Sequence, residues 1–131
     1  MIEYENLAWV NAPYRKELED KFSAVLQKGW FVLGSEVLAF EQEFAAWCGT
    51  KHCVGVASGL DALILSLKAL HLPAAGEVLV PSNTYIASIL AIIHAGLQPV
   101  LVEPDLDTYN MDPAAAVKAV TPKTCAIMPV H

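Results

Sequence analysis

The chain has 131 residues, of which 55% are hydrophobic and 17% charged, and its formal net charge is −6. This length fits one domain or part of one. A small domain has much surface relative to its volume, and 17% charged residues are few to cover that surface. We therefore expect further chain or a partner subunit to cover some of the apolar surface. The acidic balance and the lack of a basic stripe argue against a nucleic-acid partner.

The N-terminus and the cysteines indicate a compartment. The first five residues, Met-Ile-Glu-Tyr-Glu, have neither the basic nor the apolar region of a secretory signal. The longest apolar stretch, residues 85–97, is too short to span a bilayer. The three cysteines form no disulfide framework, so we expect reduced thiols and a cytoplasmic protein.

The N-terminal part predicts a helix followed by an apolar connector. Asn11 and Pro13 resemble a helix start, namely a capping side chain and a residue tolerated in the first turn. Apolar residues then recur at helical spacing, at Leu18, Phe22, Val25 and Leu26. Gly29 is expected to end this helix. Residues 30–34, Trp-Phe-Val-Leu-Gly, are costly to leave in water and should pack against a neighbour.

A second helix is predicted from Ser35, as its cap, to Gly49. Its apolar face consists of Val37, Phe40, Phe44 and Trp47. Its acidic residues, Glu36, Glu41 and Glu43, are interpreted as a solvated face.

Short apolar runs alternate with helical patterns in the rest of the chain. Buried strands are predicted at residues 53–57, 77–80, 99–102 and 125–128, with helices at 60–70, at 85–95 and after Asp112-Pro113. The runs are continuous rather than alternating, which is typical of strands covered by helices on both faces. The order predicts an α/β fold with a largely parallel sheet and right-handed crossovers.

Ligands of such sheets bind at the carboxyl ends of the strands, and three such ends carry polar residues. They are Ser58-Gly59, residues 82–85 and residues 103–109. At Ser58-Gly59 a helix begins, and its first backbone N–H groups have no partner within it. Together with the helix dipole, these groups make the turn a candidate phosphate seat. The alternative is a plain strand–helix connection.

Tyr85 begins the next helix at the next strand end, so its ring could lie over a flat ligand held by the turn. Taken alone, Tyr85 is interpreted as a core aromatic at a helix start. The Asp61 carboxylate interacts favourably with the helix dipole, and this is sufficient reason for the residue without any function. Because its carboxylate would repel a phosphate, only its backbone N–H is expected to act as a donor.

The sequence lacks the residue sets that a zinc site, a serine nucleophile or a dinucleotide site would need. Cys48, His52 and Cys53 are too few for a closed zinc site, so no metal site is predicted. Ser58 has no histidine partner and no Gly-x-Ser-x-Gly context. The three spaced glycines of a dinucleotide fingerprint are absent after the first predicted strand.

Successive segments resemble motifs of the DegT/DnrJ/EryC1/StrS aminotransferases, which are pyridoxal-phosphate enzymes of the aspartate-aminotransferase fold. The segments are residues 34–44, 54–63 (VGVASGLDAL), 80–88 (VPSNTYIAS), 99–113 and 129–131. The resemblance covers nearly all of this chain but only the N-terminal part of a family member. It implies that residues 1–131 are an incomplete large domain of a fold-type-I enzyme, with a mostly parallel sheet and helices on both faces.

The resemblance also implies site residues. The phosphate of pyridoxal phosphate would be held at one turn, chiefly by the N–H groups of Leu60 and Asp61. The residues of this turn are Ser58, Gly59, Leu60 and Asp61. Many relatives have threonine in place of Leu60, so one hydroxyl donor is lost here. Tyr85 would stack on the pyridine ring. The connector 30–34, with Phe31 as its substrate residue, would lie near the active site at a homodimer interface.

The implied reaction carries an amino group from glutamate to a nucleotide-linked keto sugar, and the motifs look most like members acting on dTDP-3-keto-6-deoxyhexoses. In this family the Schiff-base lysine and the acidic partner of the pyridinium lie downstream, so no catalytic residue is assigned here. The lysines present are interpreted as surface residues, and we expect no transamination by this segment alone. Two alternatives stay open: a non-catalytic binding or oligomerising remnant, and part of a pyridoxal-phosphate-dependent sugar dehydratase.

Overall fold

The computed structural model describes residues 4–131. Residues 1–3, the first of the five N-terminal residues that were inspected for a secretory signal, lie outside the described residues. The chain divides into two compact units, Met1–Gly55 and Val56–His131. Across residues 4–131, no helix is both long and apolar enough to cross a membrane.

The first unit is helical, with α1 at Leu7–Asn11, a single 3-10 turn at Ala12–Tyr14, α2 at Arg15–Lys28 and α3 at Ser35–Cys48. Asn11 holds the N-cap position of the 3-10 turn that leads into α2, with a proline in its first turn, as predicted, but the predicted capping bond is wrong. The upstream helix α1, capped by Asn6 through the Trp9 N–H at 2.9 Å, was not predicted. Asn11 is the last residue of α1 and makes no side-chain cap. Gly29 ends α2 in the left-handed conformation (φ 65°), as predicted.

Ser35 is the first residue of α3 and does not cap it, so that prediction is also wrong. The Lys28 ammonium instead donates to the Ser35 hydroxyl at 3.4 Å and to the Glu36 carboxylate at 2.6 Å. The hydrogen bond and charge of Lys28, with a smaller effect of Lys21, hold the pKa of Glu36 below its ordinary value. Glu36 and Glu41 are therefore not merely solvated, since Glu41 accepts the Gly55 N–H at 2.7 Å.

The second unit is the α/β part of the chain. Its elements are α4 at Gly59–Ala69, β1 at Glu77–Pro81, α5 at Ile86–His94, β2 at Gln98–Val102, α6 at Pro113–Ala119 and β3 at Thr124–Ile127. The strands form a parallel sheet in the order β2-β1-β3. The predicted fold class is confirmed, and Asp112 caps α6 by accepting the Ala114 N–H at 2.8 Å.

The central strand β1 is covered on both faces, as its continuous apolar run predicts. Val78 and Val80 pack with Leu67 of α4 and Ile92 of α5 in one cluster. Leu79 points to the opposite face and forms a second cluster with Val102 of β2 and Ala116 of α6. The helices thus cover both faces of the sheet, with α4 and α5 on one and α6 on the other.

The predicted first strand, residues 53–57, is wrong. The segment pairs with no strand among residues 4–131, and Val54 remains 74% exposed. A strand needs a ladder partner for its N–H and C=O groups, and an apolar run does not reveal whether one is present. The described sheet therefore begins at β1, and Ser58 follows a coil segment.

Gly76 sits where a side chain has no room. A Cβ there would lie 2.6 Å from Cys125 Sγ and 2.9 Å from the Pro73 carbonyl oxygen, which already accepts the Gly76 N–H. We expect Gly76→Ala to lower the free energy of unfolding by about 1–3 kcal/mol through overpacking. Urea unfolding followed by far-UV circular dichroism measures the change. Adding Cys125→Ala should recover part of the loss, and an unchanged midpoint for the single variant would contradict this account.

Candidate functional site

The topology of unit Val56–His131 brings the starts of two helices to one edge of the sheet. Helix α5 begins after the carboxyl end of β1, whereas α4 runs into the amino end of β1 through residues 70–76. The two helices pack side by side, with Leu60, Leu63 and Ile64 of α4 against the cluster that contains Ile92. The N-termini of α4 and α5 therefore both face the carboxyl edge, where ligands of parallel sheets bind.

The turn before α4 is a capped helix start. The Ser58 hydroxyl accepts the Asp61 N–H at 3.1 Å and donates to Asp61 Oδ2 at 2.8 Å. The Asp61 N–H, expected to be a ligand donor, thus already has a partner. Within residues 4–131 no bond forms to the N–H groups of Gly59 and Leu60. These two are the open donors of the turn, and a Cβ at Gly59 would meet no atom within 4 Å.

Tyr85 is the N-cap residue of α5, and its side chain is 80% exposed. The interpretation of Tyr85 as a core aromatic is therefore wrong. The polar residues before it do not cap α5, which has no side-chain cap. They bond elsewhere: the Thr84 and Ser88 hydroxyls share a hydrogen bond of 3.0 Å, and Asn83 Nδ2 donates to the Tyr109 carbonyl at 3.0 Å. Tyr85 thus offers an open ring on an anchored backbone.

A cleft of about 290 Å³ lies where the three strands end. Residues 83–85 line it after β1, residues 108–110 after β2, and residues 130–131 after β3. The sequence pattern predicted polar residues at the first two of these strand ends, but it did not identify Asn83 or Asn110 as a site residue. Only the pairing of the strands shows that these ends meet.

The acidic loop after β2 is organised by Asp105. Its Oδ1 accepts the N–H groups of Asp107 and Thr108 at 3.0 and 2.9 Å and the Thr108 hydroxyl at 3.1 Å. The Tyr109 N–H is bound by the Asp105 carbonyl at 2.9 Å, with Tyr109 at φ 58°. Such a conformation is uncommon for a bulky residue and persists where surrounding bonds impose it.

These bonds make the loop sensitive to acid. Hydrogen bonds from Thr108, then Asp107, lower the pKa of Asp105 below its ordinary value of 3.8. A lowered pKa in the folded state contributes stability above the ordinary pKa, and this contribution is lost as the pH falls through the lower value. A carbon-13 NMR titration of Asp105 should give a lower midpoint in the chain than in a peptide of residues 103–112. Equal midpoints would contradict the bonding described here.

The lysines of unit Val56–His131 lie away from this edge. Lys68 and Lys118 occupy the last turns of α4 and α6, which lead towards the amino ends of β1 and β3. The Lys123 carbonyl accepts the N–H of Glu77, the first residue of β1. Among the described residues of this unit, no lysine is therefore placed at the start of α4 or beside Tyr85.

Phe31 belongs to the helical unit, whereas the other predicted site residues belong to Val56–His131. The side chains of residues 30–33 are all exposed, and the Trp30 indole N–H donates to the Val32 carbonyl at 2.7 Å. A cleft of about 570 Å³ beside the connector is lined by Trp30, Leu33 and residues of α2 and α3. Over residues 4–131, no group of three histidine, cysteine or acidic residues could hold a metal ion.

Comparison with known proteins matches the chain to one family and to several relatives. The profile described as the DegT/DnrJ/EryC1/StrS aminotransferase family matches residues 13–131. The chain is 52% identical over 131 residues to "dTDP-3-amino-3,6-dideoxy-alpha-D-galactopyranose transaminase" from Aneurinibacillus thermoaerophilus, covering 100% of this chain and 36% of that protein.

Two crystal structures share the fold. DesV of S. venezuelae, solved "in complex with ketimine intermediate", superposes with a TM-score of 0.91 at 45% identity, covering 99% of this chain and 35% of that one. NtdA from Bacillus subtilis, solved "with bound cofactor pmp", gives a TM-score of 0.83 at 30% identity, covering 88% and 27%. The chain thus spans about a third of the length of the curated relatives it matches.

Proposed function

Because the chain belongs to the DegT/DnrJ/EryC1/StrS aminotransferase family, we propose that it forms the N-terminal part of a pyridoxal-phosphate-dependent aminotransferase. The substrate is a nucleotide-linked keto-deoxysugar, specifically a dTDP-3-keto-6-deoxyhexose, and glutamate is the amino donor. The transaminase from A. thermoaerophilus supports this sugar, since its name carries a dTDP-linked 3-amino-3,6-dideoxy sugar. Both compact units belong to one large domain.

One observation carries this proposal: α4 begins with two open N–H donors at the same sheet edge as an exposed aromatic ring. The N–H groups of Gly59 and Leu60 and the helix dipole suit a phosphate dianion. The Tyr85 ring suits a flat heteroaromatic group. These donors and this surface therefore fit the two ends of pyridoxal phosphate.

When bound, the cofactor supplies the electron sink that amino-group transfer needs. The residues of this chain would hold and orient it. Ser58, through its bonds to Asp61, fixes the first turn of α4 so that the open N–H groups point outward from the helix end. Gly59 leaves space for the phosphate to approach the backbone, and Tyr85 orients the ring. Leu60 provides its backbone N–H only.

The groups that complete the site would come from the remaining two thirds of a family-length protein. The lysines in Val56–His131 lie towards the amino edge, so we propose that this segment alone does not transaminate. Phe31 would contact the sugar substrate across a homodimer interface. The exposed connector 30–33 supports that role, because large apolar side chains are usually covered in an assembly.

Titrating the 131-residue chain with pyridoxamine 5′-phosphate in a calorimeter tests the proposal. We expect one non-covalent site from which inorganic phosphate displaces the ligand. Ser58→Ala should weaken binding, because it removes the cap that orders the first turn. Ser66→Ala, on the exposed part of α4, is the matched control and should bind normally. With pyridoxal phosphate and borohydride, mass spectrometry should find no specifically modified lysine. No binding, or a modified lysine at full occupancy, would contradict the proposal.

A further inference from the structure

Asn83 links the end of β1 to the loop that follows β2. Its Nδ2 donates to the Tyr109 carbonyl at 3.0 Å, across 26 residues of sequence. The backbone beside it is paired as well, because the Ser82 N–H donates to the Val102 carbonyl at 2.8 Å. Two successive residues after β1 are therefore attached to β2 and its loop, although neither belongs to a strand.

The acceptor of this bond lies in a loop that several hydrogen bonds hold together. Tyr109 is held in the left-handed conformation by the Asp105 carbonyl, which binds its N–H. The Asn110 carbonyl in turn accepts the Asp105 N–H at 2.9 Å, and the Asp105 carboxylate binds residues 107 and 108. Pro104 and Met111 close the loop with an antiparallel bridge. Asn83 is thus bonded to a loop whose conformation is held by its own hydrogen bonds.

Tyr85 depends on such an anchor because its ring is exposed. A packed aromatic ring is placed by its neighbours, whereas an exposed one is placed by the backbone that carries it. That backbone is fixed on one side by Asn83 and on the other by the bond between the Thr84 and Ser88 hydroxyls. We propose that Asn83 is a positioning residue that holds the backbone of Tyr85, and so the ring, at the carboxyl edge. The use of that ring for the cofactor rests on the proposed function.

Asn83→Leu tests the inference, since leucine keeps the approximate shape and removes the donor. We expect the affinity for pyridoxamine 5′-phosphate to fall about threefold to tenfold, as for the loss of one neutral hydrogen bond. Affinity for inorganic phosphate, which needs only the α4 turn, should not change. Asn11→Leu, at a side chain with no cap bond in the helical unit, is the matched control. An unchanged pyridoxamine phosphate affinity, or an equal loss for both ligands, would overturn the inference.

A second readout keeps the test independent of the cofactor. In the ligand-free chain labelled with 3-fluorotyrosine, Tyr85→Phe identifies the Tyr85 resonance. Asn83→Leu should shift this resonance and leave that of Tyr14 in place, and an unmoved Tyr85 signal would overturn the inference. If the unaltered chain binds no pyridoxamine phosphate but the Tyr85 signal shifts, the proposed function fails while the positioning role of Asn83 stands.

Discussion

Leu79→Ala is expected to lower the free energy of unfolding of unit Val56–His131 by about 2–5 kcal/mol. Leu79 is the middle residue of the central strand, is fully buried, and packs against Val102 and Ala116. Alanine would remove apolar contacts and leave a cavity between the sheet and α6. Because strands flank β1 on both sides, the backbone has little freedom to collapse into that space.

Urea unfolding followed by far-UV circular dichroism measures this loss. Leu106→Ala is the matched control, since Leu106 lies on the loop after β2 and is 82% exposed. Its substitution should change the free energy of unfolding by less than about 0.5 kcal/mol. Similar losses for the two variants would show that the packing around β1 is not as described.

Tyr85→Ala is expected to weaken pyridoxamine 5′-phosphate binding about fivefold to thirtyfold, because stacking of aromatic groups and the apolar area of the ring are both lost. The fold should be unaffected, since the ring is 80% exposed. Binding of inorganic phosphate should also persist, because it needs only the start of α4. Calorimetric titration with each ligand separates the two effects.

Two further variants define the stacking role. Tyr85→Phe keeps the ring and should bind pyridoxamine phosphate within about twofold of the unaltered chain, since the stacking surface is unchanged. Tyr14→Ala, an exposed tyrosine of the helical unit, controls for a general loss of aromatic surface. If Tyr85→Ala bound the ligand normally, the phosphate seat could still act, but the stacking surface would have to lie elsewhere.

The sequence patterns predicted those elements whose evidence is local. Continuous apolar runs gave β1, β2 and β3, and Asp112-Pro113 gave the start of α6, because burial and capping act within a few residues. The run at residues 53–57 carried the same pattern and failed, because a strand also needs a partner. That partner is a property of the whole sheet and leaves no trace in the run itself.

The candidate site likewise has features that the sequence predicted and features that it did not. The start of α4 was predictable, because Ser58 and Gly59 mark the turn directly. The exposure of Tyr85 was not, since an aromatic residue beside an apolar helix is usually buried. The bond between Asn83 and Tyr109 joins positions far apart in sequence, and no local signal marks either partner. Capping was likewise misassigned at Asn11 and Ser35, because the Asn11 side chain makes no capping bond and α3 begins without a side-chain cap.

The division into two compact units has a spectroscopic consequence. All three tryptophans, Trp9, Trp30 and Trp47, belong to Met1–Gly55, whereas Val56–His131 contains only tyrosine fluorophores, at positions 85 and 109. Intrinsic emission excited at long wavelength therefore arises from the helical unit, while sheet formation belongs to the other. In a variant such as Leu79→Ala, tryptophan emission thus reports the helical unit alone. Comparing it with the far-UV circular dichroism of the whole chain shows in one sample whether the units melt together or in sequence.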